Sequence, residues 1–313
     1  MTILAVVQKT PSFLNKAKCI ETAVDAIAEA SSGGANIVIF TEAFIPGYPS
    51  WIWRLRPGGD WVLSEGLYER LLNNAVNLAT EDLAPLYEAA QKHRITVVCG
   101  IEERDNQLSQ ATLYNTVIVI SADGELVNRH RKLMPTNPER MVWGFGDASG
   151  LKVVETPAGR IGTLLCWENY MPLARYAIYS QGVEIYIAPT YDSGDKWTGT
   201  LQHIAREGRC WVVGCGNLMH SRDLPADLPE KGTMFPDDDE WINPGDSVVI
   251  SPDGEIAAGP LCKEAGILFC EIDLRKIGLA KRTLDVVGHY SRPDIFTLHV
   301  NRRTQSPVQF DDL

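Results

Sequence analysis

Gly159-Arg-Ile-Gly-Thr-Leu-Leu165, then Cys166, then Trp167-Glu-Asn-Tyr-Met-Pro172 and Leu173-Ala-Arg-Tyr-Ala-Ile-Tyr179 make up the most telling stretch of this chain. A turn glycine opens a short apolar run of strand length, and the residues from Leu173 onward have helical spacing. Asn169 or Tyr170 marks the helix start, with Pro172 in the first turn, where its missing N–H costs nothing. A strand thus feeds a helix through one cysteine. A thiol at that point meets backbone N–H groups and the positive end of a helix dipole, which favour thiolate. The ordinary fate of a free cysteine is nevertheless that of a small buried hydrophobe.

The same alternation runs outward in both directions. Ile3–Gln8 reads as a strand, and Asn15–Ala30 as a helix with Ile20, Ala23, Val24 and Ile27 on one face. Gly33-Gly34 stops that helix, and Ile37-Val-Ile-Phe-Thr41 is a continuous apolar strand ending at Glu42. A helix at Asp82–Lys92 precedes a strand at Ile95–Ile101. Tyr114–Ile120 and Leu126–Arg131 pair about Asp123-Gly124 as a hairpin. Ser247–Ile256 repeats nearly the same wording about Asp253-Gly254, and a third hairpin turns at Pro157-Ala-Gly159. Strands follow at Val183–Ala188, Trp211–Cys215 and Ile267–Ile272, with a helix near Gly199–Glu207. Hairpins mixed with crossover helices predict mixed sheets in an α/β fold. The echoed hairpins predict two similar halves packed sheet on sheet, helices outside. With no dividing linker, one domain over residues 1–298 and a polar C-terminal tail over 299–313 are expected. Arg54–Ser64 and Ser221–Gly245 read as inserted surface loops, the second with four prolines and the acidic run Asp237–Glu240.

Composition narrows the function. The 313 residues are 45% apolar and 22% charged, as in a globular protein with a sizeable core. A net charge of −11 argues against nucleic acid or an anionic membrane as partner. No apolar run approaches the roughly 20 residues of a membrane span, and Met1–Val7 reads as a first strand, not a signal peptide. The seven cysteines are scattered, with no zinc spacing. A reduced cytoplasmic protein without structural metal is the simplest expectation.

Cys166 needs a base and a charge stabiliser. Of the histidines, His130 at a strand end is best placed, and it shares a strand face with Lys132. Glu42 and Lys132 make a better pair. Each ends a strand, and a carboxylate at the end of a buried strand is costly unless paired. Three reactive side chains therefore sit at C-terminal strand ends, the edge where sites gather in sheet enzymes. A purely structural Glu42–Lys132 ion pair is the alternative. Tyr48, Trp51 and Trp53, beside Glu42, are candidates for a pocket wall, and Thr190-Tyr191-Asp192 for the opposite one. Glu168 is expected to pair structurally or to cap the following helix.

Thr41-Glu42, His130-Arg-Lys132-Leu-Met-Pro135 and Leu165-Cys166-Trp167-Glu168-Asn169 resemble the three signatures of the nitrilase superfamily of carbon–nitrogen hydrolases. The likeness runs from about residue 3 to about residue 298. Cys166–Leu173, Arg131–Arg140 with Val142-Trp-Gly144, His203–Cys210 and Gly288–Asp294 resemble the true nitrilase branch. The resemblance implies a four-layer α-β-β-α sandwich, and a cofactor-independent enzyme converting an organic nitrile to its carboxylic acid and ammonia. It implies Cys166 as nucleophile, Glu42 as general base, and Lys132 with the Trp167 backbone N–H stabilising charge. Glu139 would be the family's second glutamate, holding Lys132 or the substrate. Tyr48, Trp51, Trp167, Thr190 and Tyr191 are then the expected substrate contacts. His203 fits a branch motif, with a hydrogen bond in the core or behind the site as its expected role. Also implied is self-association into dimers or spiral oligomers, with the two insertions as interface candidates. An amidase, a carbamoylase or a hydratase that stops at the amide would share the triad, and an assembly protein without activity is the remaining reading.

Overall fold

Two mixed β-sheets lie face to face between two layers of helices in a computed structural model of the chain, which describes residues 1–106, 108–304 and 308. In chain order the strands are β1 Thr2–Gln8, β2 Ile37–Phe40, β3 Thr96–Arg104, β4 Leu113–Ile120, β5 Leu126–Arg131, β6 Val154–Thr156 and β7 Gly159–Thr163. They continue as β8 Ile185–Thr190, β9 Trp211–Gly216, β10 Leu218–His220, β11 Trp241–Ile250, β12 Ile256–Cys262 and β13 Gly266–Ile272. The helices are α1 Lys16–Ser32, α2 Trp61–Asn74, α3 Ala84–His93, α4 Pro172–Tyr179, α5 Asp195–Gly208, α6 Lys231–Met234 and α7 Arg275–Lys281.

The first sheet runs β13-β1-β2-β3-β4-β5, and the second β10-β11-β9-β8-β7-β6 with β12 also on β11. The echoed hairpins now have a meaning. In each sheet three parallel strands (β1-β2-β3 and β7-β8-β9) are followed by an antiparallel hairpin (β4/β5 and β11/β12). The expected turn at Pro157–Gly159 joins β6 to β7. Two similar halves are therefore stacked, as expected.

Period-two alternation assigns the faces. Leu4 and Val6 of β1 face the second sheet and meet Ile161, Ile185, Ile187 and Val213 there. Ala5 and Val7 point the other way, into α1 and α3. Tyr186, Ala188 and Val212 pack outward beneath α4 and α5. These strands are buried on both sides, which is why they read as unbroken apolar runs. Helix α1 starts where the Asn15 side chain accepts the Lys18 N–H at 3.1 Å.

The insertions depart from the loop expectation. The first enters α2 at Trp61, and the second contains α6 and the start of β11. They pack on one another: Leu55 of the first, together with Leu67 and Leu71 farther along α2, shares an apolar cluster with Leu224, Leu228, Met234 and Phe235 of the second. The Arg54 guanidinium stacks 5.2 Å from the Phe235 ring centre and pairs with Glu240, while Arg70 reaches Asp227 at 3.1 Å. Apolar side chains spaced among prolines and acids gave no periodic signal, so the cluster was invisible locally. Most of the expected C-terminal tail, at 305–307 and 309–313, lies outside the described residues. Among the described residues no helix is long and apolar enough to cross a membrane.

Candidate active site

Glu42 leaves the end of β2 at a point where the backbone crosses β3 with no room to spare. A Cβ on Gly100 would lie 2.3 Å from the Thr41 carbonyl oxygen, so only glycine admits this crossing. The Glu42 carboxylate is fully buried and fully engaged. Its Oε1 accepts from Lys132 Nζ at 2.8 Å and from Asn115 Nδ2 at 2.6 Å, and its Oε2 accepts the Tyr191 backbone N–H at 2.7 Å.

Lys132 follows β5 and is buried between two carboxylates. Its Nζ donates to Glu42 Oε1 and to Glu139 Oε2, both at 2.8 Å, and lies 5.6 Å from the Trp143 ring centre. Glu139 is held in turn by the Thr136 N–H at 2.6 Å and the Tyr48 hydroxyl at 2.7 Å. Burial disfavours the Lys132 ammonium, yet Glu42, Cys166 and Glu139 together outweigh it and hold its pKa above the ordinary lysine value.

Cys166 begins a short 3-10 turn, Cys166–Tyr170, that leads into α4. Its φ of +48° is left-handed, a conformation that costs a non-glycine residue about 1–3 kcal/mol and must be imposed by its surroundings. The clamps are visible. Asn169 Nδ2 donates to the carbonyls of Leu164 (3.1 Å) and Cys166 (2.7 Å), and Asn169 Oδ1 accepts from the Tyr186 hydroxyl at 2.6 Å. Burial pushes the thiol up to about 12, with Glu42 and Glu139 raising it and Lys132 and a Thr190 hydrogen bond lowering it. The thiolate-favouring expectation for this turn is thus corrected. Desolvation and two carboxylates outweigh the turn and the lysine, so the resting sulfur keeps its proton. Burial likewise raises Glu42; Lys132 opposes the rise and Glu139 adds to it.

The sulfur opens on a cavity of about 260 Å³ also lined by Glu139, Trp53, Trp167, Tyr191, Asp192 and Ile242. The expected contacts divide. Trp167 and Tyr191 line the cavity, and the Trp167 indole N–H donates to Asp192 Oδ2 at 2.8 Å. Thr190 is buried behind it, its hydroxyl accepting the Asp192 N–H at 2.8 Å. Tyr48 also stands one layer back, stacked at 3.7 Å on Tyr191. Trp51 packs 5.7 Å from Phe13 in the apolar cluster under the insertions, while Trp53 faces the cavity instead. The 3-10 turn Ser50–Trp53 points its residues in different directions, which adjacency to Glu42 does not reveal.

His130 is buried against Glu168, with Nε2 3.1 Å from both carboxylate oxygens. Glu168 therefore pairs structurally, as expected. His203 is not in the core: its side chain is 67% exposed, 3.6 Å from Glu207 on the solvent side of α5. Residue type and spacing alone do not point to Asn115, Thr136, Ile242 or Asn243 as site residues. Asn115 carries a hint, being an amide inside the apolar strand Leu113–Ile120. Ile242 and Asn243 carry none, since they belong to an insertion.

Known proteins resemble the chain over most of its length. The carbon-nitrogen hydrolase family model matches residues 3–282. A bifunctional nitrilase/nitrile hydratase of Lupinus angustifolius is 40% identical, over 97% of this chain and 87% of its own length. An aliphatic nitrilase of Sinorhizobium fredii is 38% identical, over 97% of each chain, and nitrilase 2 of Arabidopsis thaliana is 38% identical over 97% of this chain and 90% of its own. Saccharomyces cerevisiae Nit3, described as a member of branch 10 of the nitrilase superfamily, superposes with a TM-score of 0.72 at 20% identity, covering 92% of this chain and 96% of its own. A carbon-nitrogen hydrolase of Helicobacter pylori gives 0.70 at 20% identity, over 94% and 96%. The chain belongs to the carbon–nitrogen hydrolase family. Within that family it falls in the nitrilase branch, and it is a hydrolase of the nitrilase type.

Proposed function

We propose that the chain hydrolyses an organic nitrile to the carboxylic acid and ammonia, with Cys166 as nucleophile. The observation that carries this reading is the chain Glu42 Oε1–Lys132 Nζ–Glu139 Oε2, with both contacts at 2.8 Å, beside the Cys166 cavity. A nitrile carbon is a weak electrophile, and attack places negative charge on nitrogen. Glu42 takes the thiol proton as sulfur bonds to carbon. The proton passes to the nitrile nitrogen, giving a thioimidate, while Lys132 and the Trp167 backbone N–H stabilise the developing charge. Such donors are worth about 3–4 kcal/mol each when aimed at the anion. Glu42 then deprotonates a water that adds to the thioimidate carbon. The C–N bond breaks with protonation of nitrogen, ammonia leaves, and a thioester remains. A second water, activated the same way, releases the acid and restores the thiol.

A protonated resting thiol suits this sequence. The proton needed on nitrogen travels with the nucleophile, and the neutral sulfur is spared from indiscriminate alkylation. Glu139 acts as a positioning residue, since it holds Lys132 from the side opposite Glu42. The enzyme would self-associate as its family resemblance implies, which light scattering on the full chain tests.

The second reading is release of the amide: the intermediate after the first water expels sulfur instead of ammonia. It has support because some relatives carry both activities in their names. Ammonia, acid and amide should be measured from phenylacetonitrile, benzonitrile and valeronitrile for the parent and Cys166→Ala. Acid and ammonia from the parent, lost in a folded Cys166→Ala, support the proposal. Amide alone selects the hydratase reading, and turnover retained by Cys166→Ala overturns the nucleophile.

A further inference from the structure

The cavity wall carries one charge that the mechanism above does not use. Two acidic residues line the cavity, Glu139 and Asp192, and among the described lining residues there is no lysine or arginine. Glu139 is compensated by Lys132. Asp192 is not compensated in that way. Its Oδ2 accepts from the Trp167 indole and its Oδ1 from the Ser193 N–H, both at 2.8 Å. These neutral donors orient the carboxylate without cancelling its charge. Deeper in the site, Glu42 and Glu139 set two carboxyls against the single ammonium of Lys132, which leaves no surplus positive charge to offset it. Arg54, close enough to act on Tyr191, is paired with Glu240. The chain as a whole carries −11, so its long-range field has the same sign.

We infer that Asp192 makes this site select by charge: a nitrile whose substituent bears a carboxylate is rejected, and neutral or cationic nitriles of the same size are accepted. The inference rests on reading the cavity as a nitrile site. Apolar and aromatic walls (Trp53, Trp167, Tyr191, Ile242) accept the flat body of such a substrate and lower the local dielectric. The same rings give a cationic substituent a face to lie on beside the carboxylate. Within roughly 6 Å of a second negative charge at an intermediate dielectric, the penalty is on the order of tenfold in rate constant. Asp192 is therefore a specificity-determining residue that touches the substrate's substituent and takes no part in bond making.

The test uses three phenylacetonitriles of matched shape, with a para methyl, para aminomethyl or para carboxylate group, and reads kcat/KM from ammonia release at neutral pH. The carboxylate compound is expected about tenfold or more below the methyl compound, and the aminomethyl compound at or above it. In Asp192→Asn the gap between methyl and carboxylate should shrink several-fold, whatever happens to the absolute rates. If that variant does not fold, the gap in the parent enzyme should narrow as potassium chloride is added, since a half-exposed charge at a cavity mouth is partly screened. Equal turnover of the three compounds overturns the charge selection while leaving the nitrilase reading intact. A gap unchanged in folded Asp192→Asn, or unchanged by salt, overturns the assignment to Asp192. No ammonia from any of the three, nor from any other nitrile, overturns the nitrilase reading itself.

Discussion

Glu168 binds His130 across the site at 3.1 Å, both side chains fully buried, and the pair ties together the two strand ends that carry Lys132 and Cys166. The same carboxylate accepts the N–H of Leu133 at 2.5 Å and that of Leu165 at 2.6 Å, the residues just after the lysine and just before the cysteine. Glu168 thereby sets how far apart Lys132 and Cys166 stand. Removing one partner of a buried pair leaves a charge or dipole unmatched, at about 3–5 kcal/mol. Glu168→Ala should therefore lower unfolding stability by that order in urea titrations. The fraction that stays folded should lose kcat more than it gains KM, because misplacement harms the transition state first.

Lys132→Ala and Glu42→Gln should each abolish turnover nearly as completely as Cys166→Ala. Groups acting as one unit are not additive, so the double variant Glu42→Gln with Cys166→Ala should be no slower than Cys166→Ala alone. Single-turnover ammonia assays check this. A double variant slower by the product of the two factors contradicts the shared unit.

The pH response follows from the directions of two shifts. Glu42 is raised above 4.5 by burial and must be ionised to accept the thiol proton, so kcat/KM should fall on the acid side at a pH above the ordinary carboxylate range. Cys166 is raised from 9.0 to about 12, so iodoacetamide labelling of the resting enzyme should be slow at neutral pH and accelerate above pH 9. A thiol alkylated rapidly at pH 7 would contradict the protonated resting state.

Stability should fall on the alkaline side for the same reason. Cys19 and Cys210 are also raised from 9.0 to about 12 by burial. Groups whose folded pKa is raised contribute stability that is fully present below the unfolded value and is lost as pH rises toward the folded one. The three thiols should therefore steepen the loss of stability between pH 9 and pH 12, by at most about 1.4 kcal/mol per pH unit each. Cys210→Ala should flatten the dependence of Tm on pH in that window.

Glu102, beneath the site on β3, accepts a hydrogen bond from the Trp143 indole, and burial pushes its pKa well above the ordinary carboxylate value. Glu102→Gln retains an acceptor and should leave stability and activity close to the parent. Glu102→Ala should cost about 1–3 kcal/mol by orphaning the indole N–H, and it should loosen the ring beside Lys132. Equal effects of the two substitutions in thermal unfolding would contradict a role for the indole hydrogen bond.

Much of this was legible in the chain. Alternation of apolar strands with helices is a local pattern, and it placed β1, β2, β7, β8 and β9 and the echoed hairpins within a few residues of where they lie. Glu42, Lys132 and Cys166 stood out because polar or reactive side chains at the ends of apolar strands need a reason to be there. The tertiary structure decided what depends on neighbours far along the chain. It put Asn115 on Glu42, turned Trp51 into the core and Trp53 toward the cavity, and folded the two insertions over each other. It also reversed the protonation expected of Cys166. A turn and a helix end are local and favour thiolate, but burial and the fields of Glu42 and Glu139 come from other strands and are stronger. Residue type and periodicity are properties of the sequence, whereas desolvation and charge balance exist only once distant segments meet.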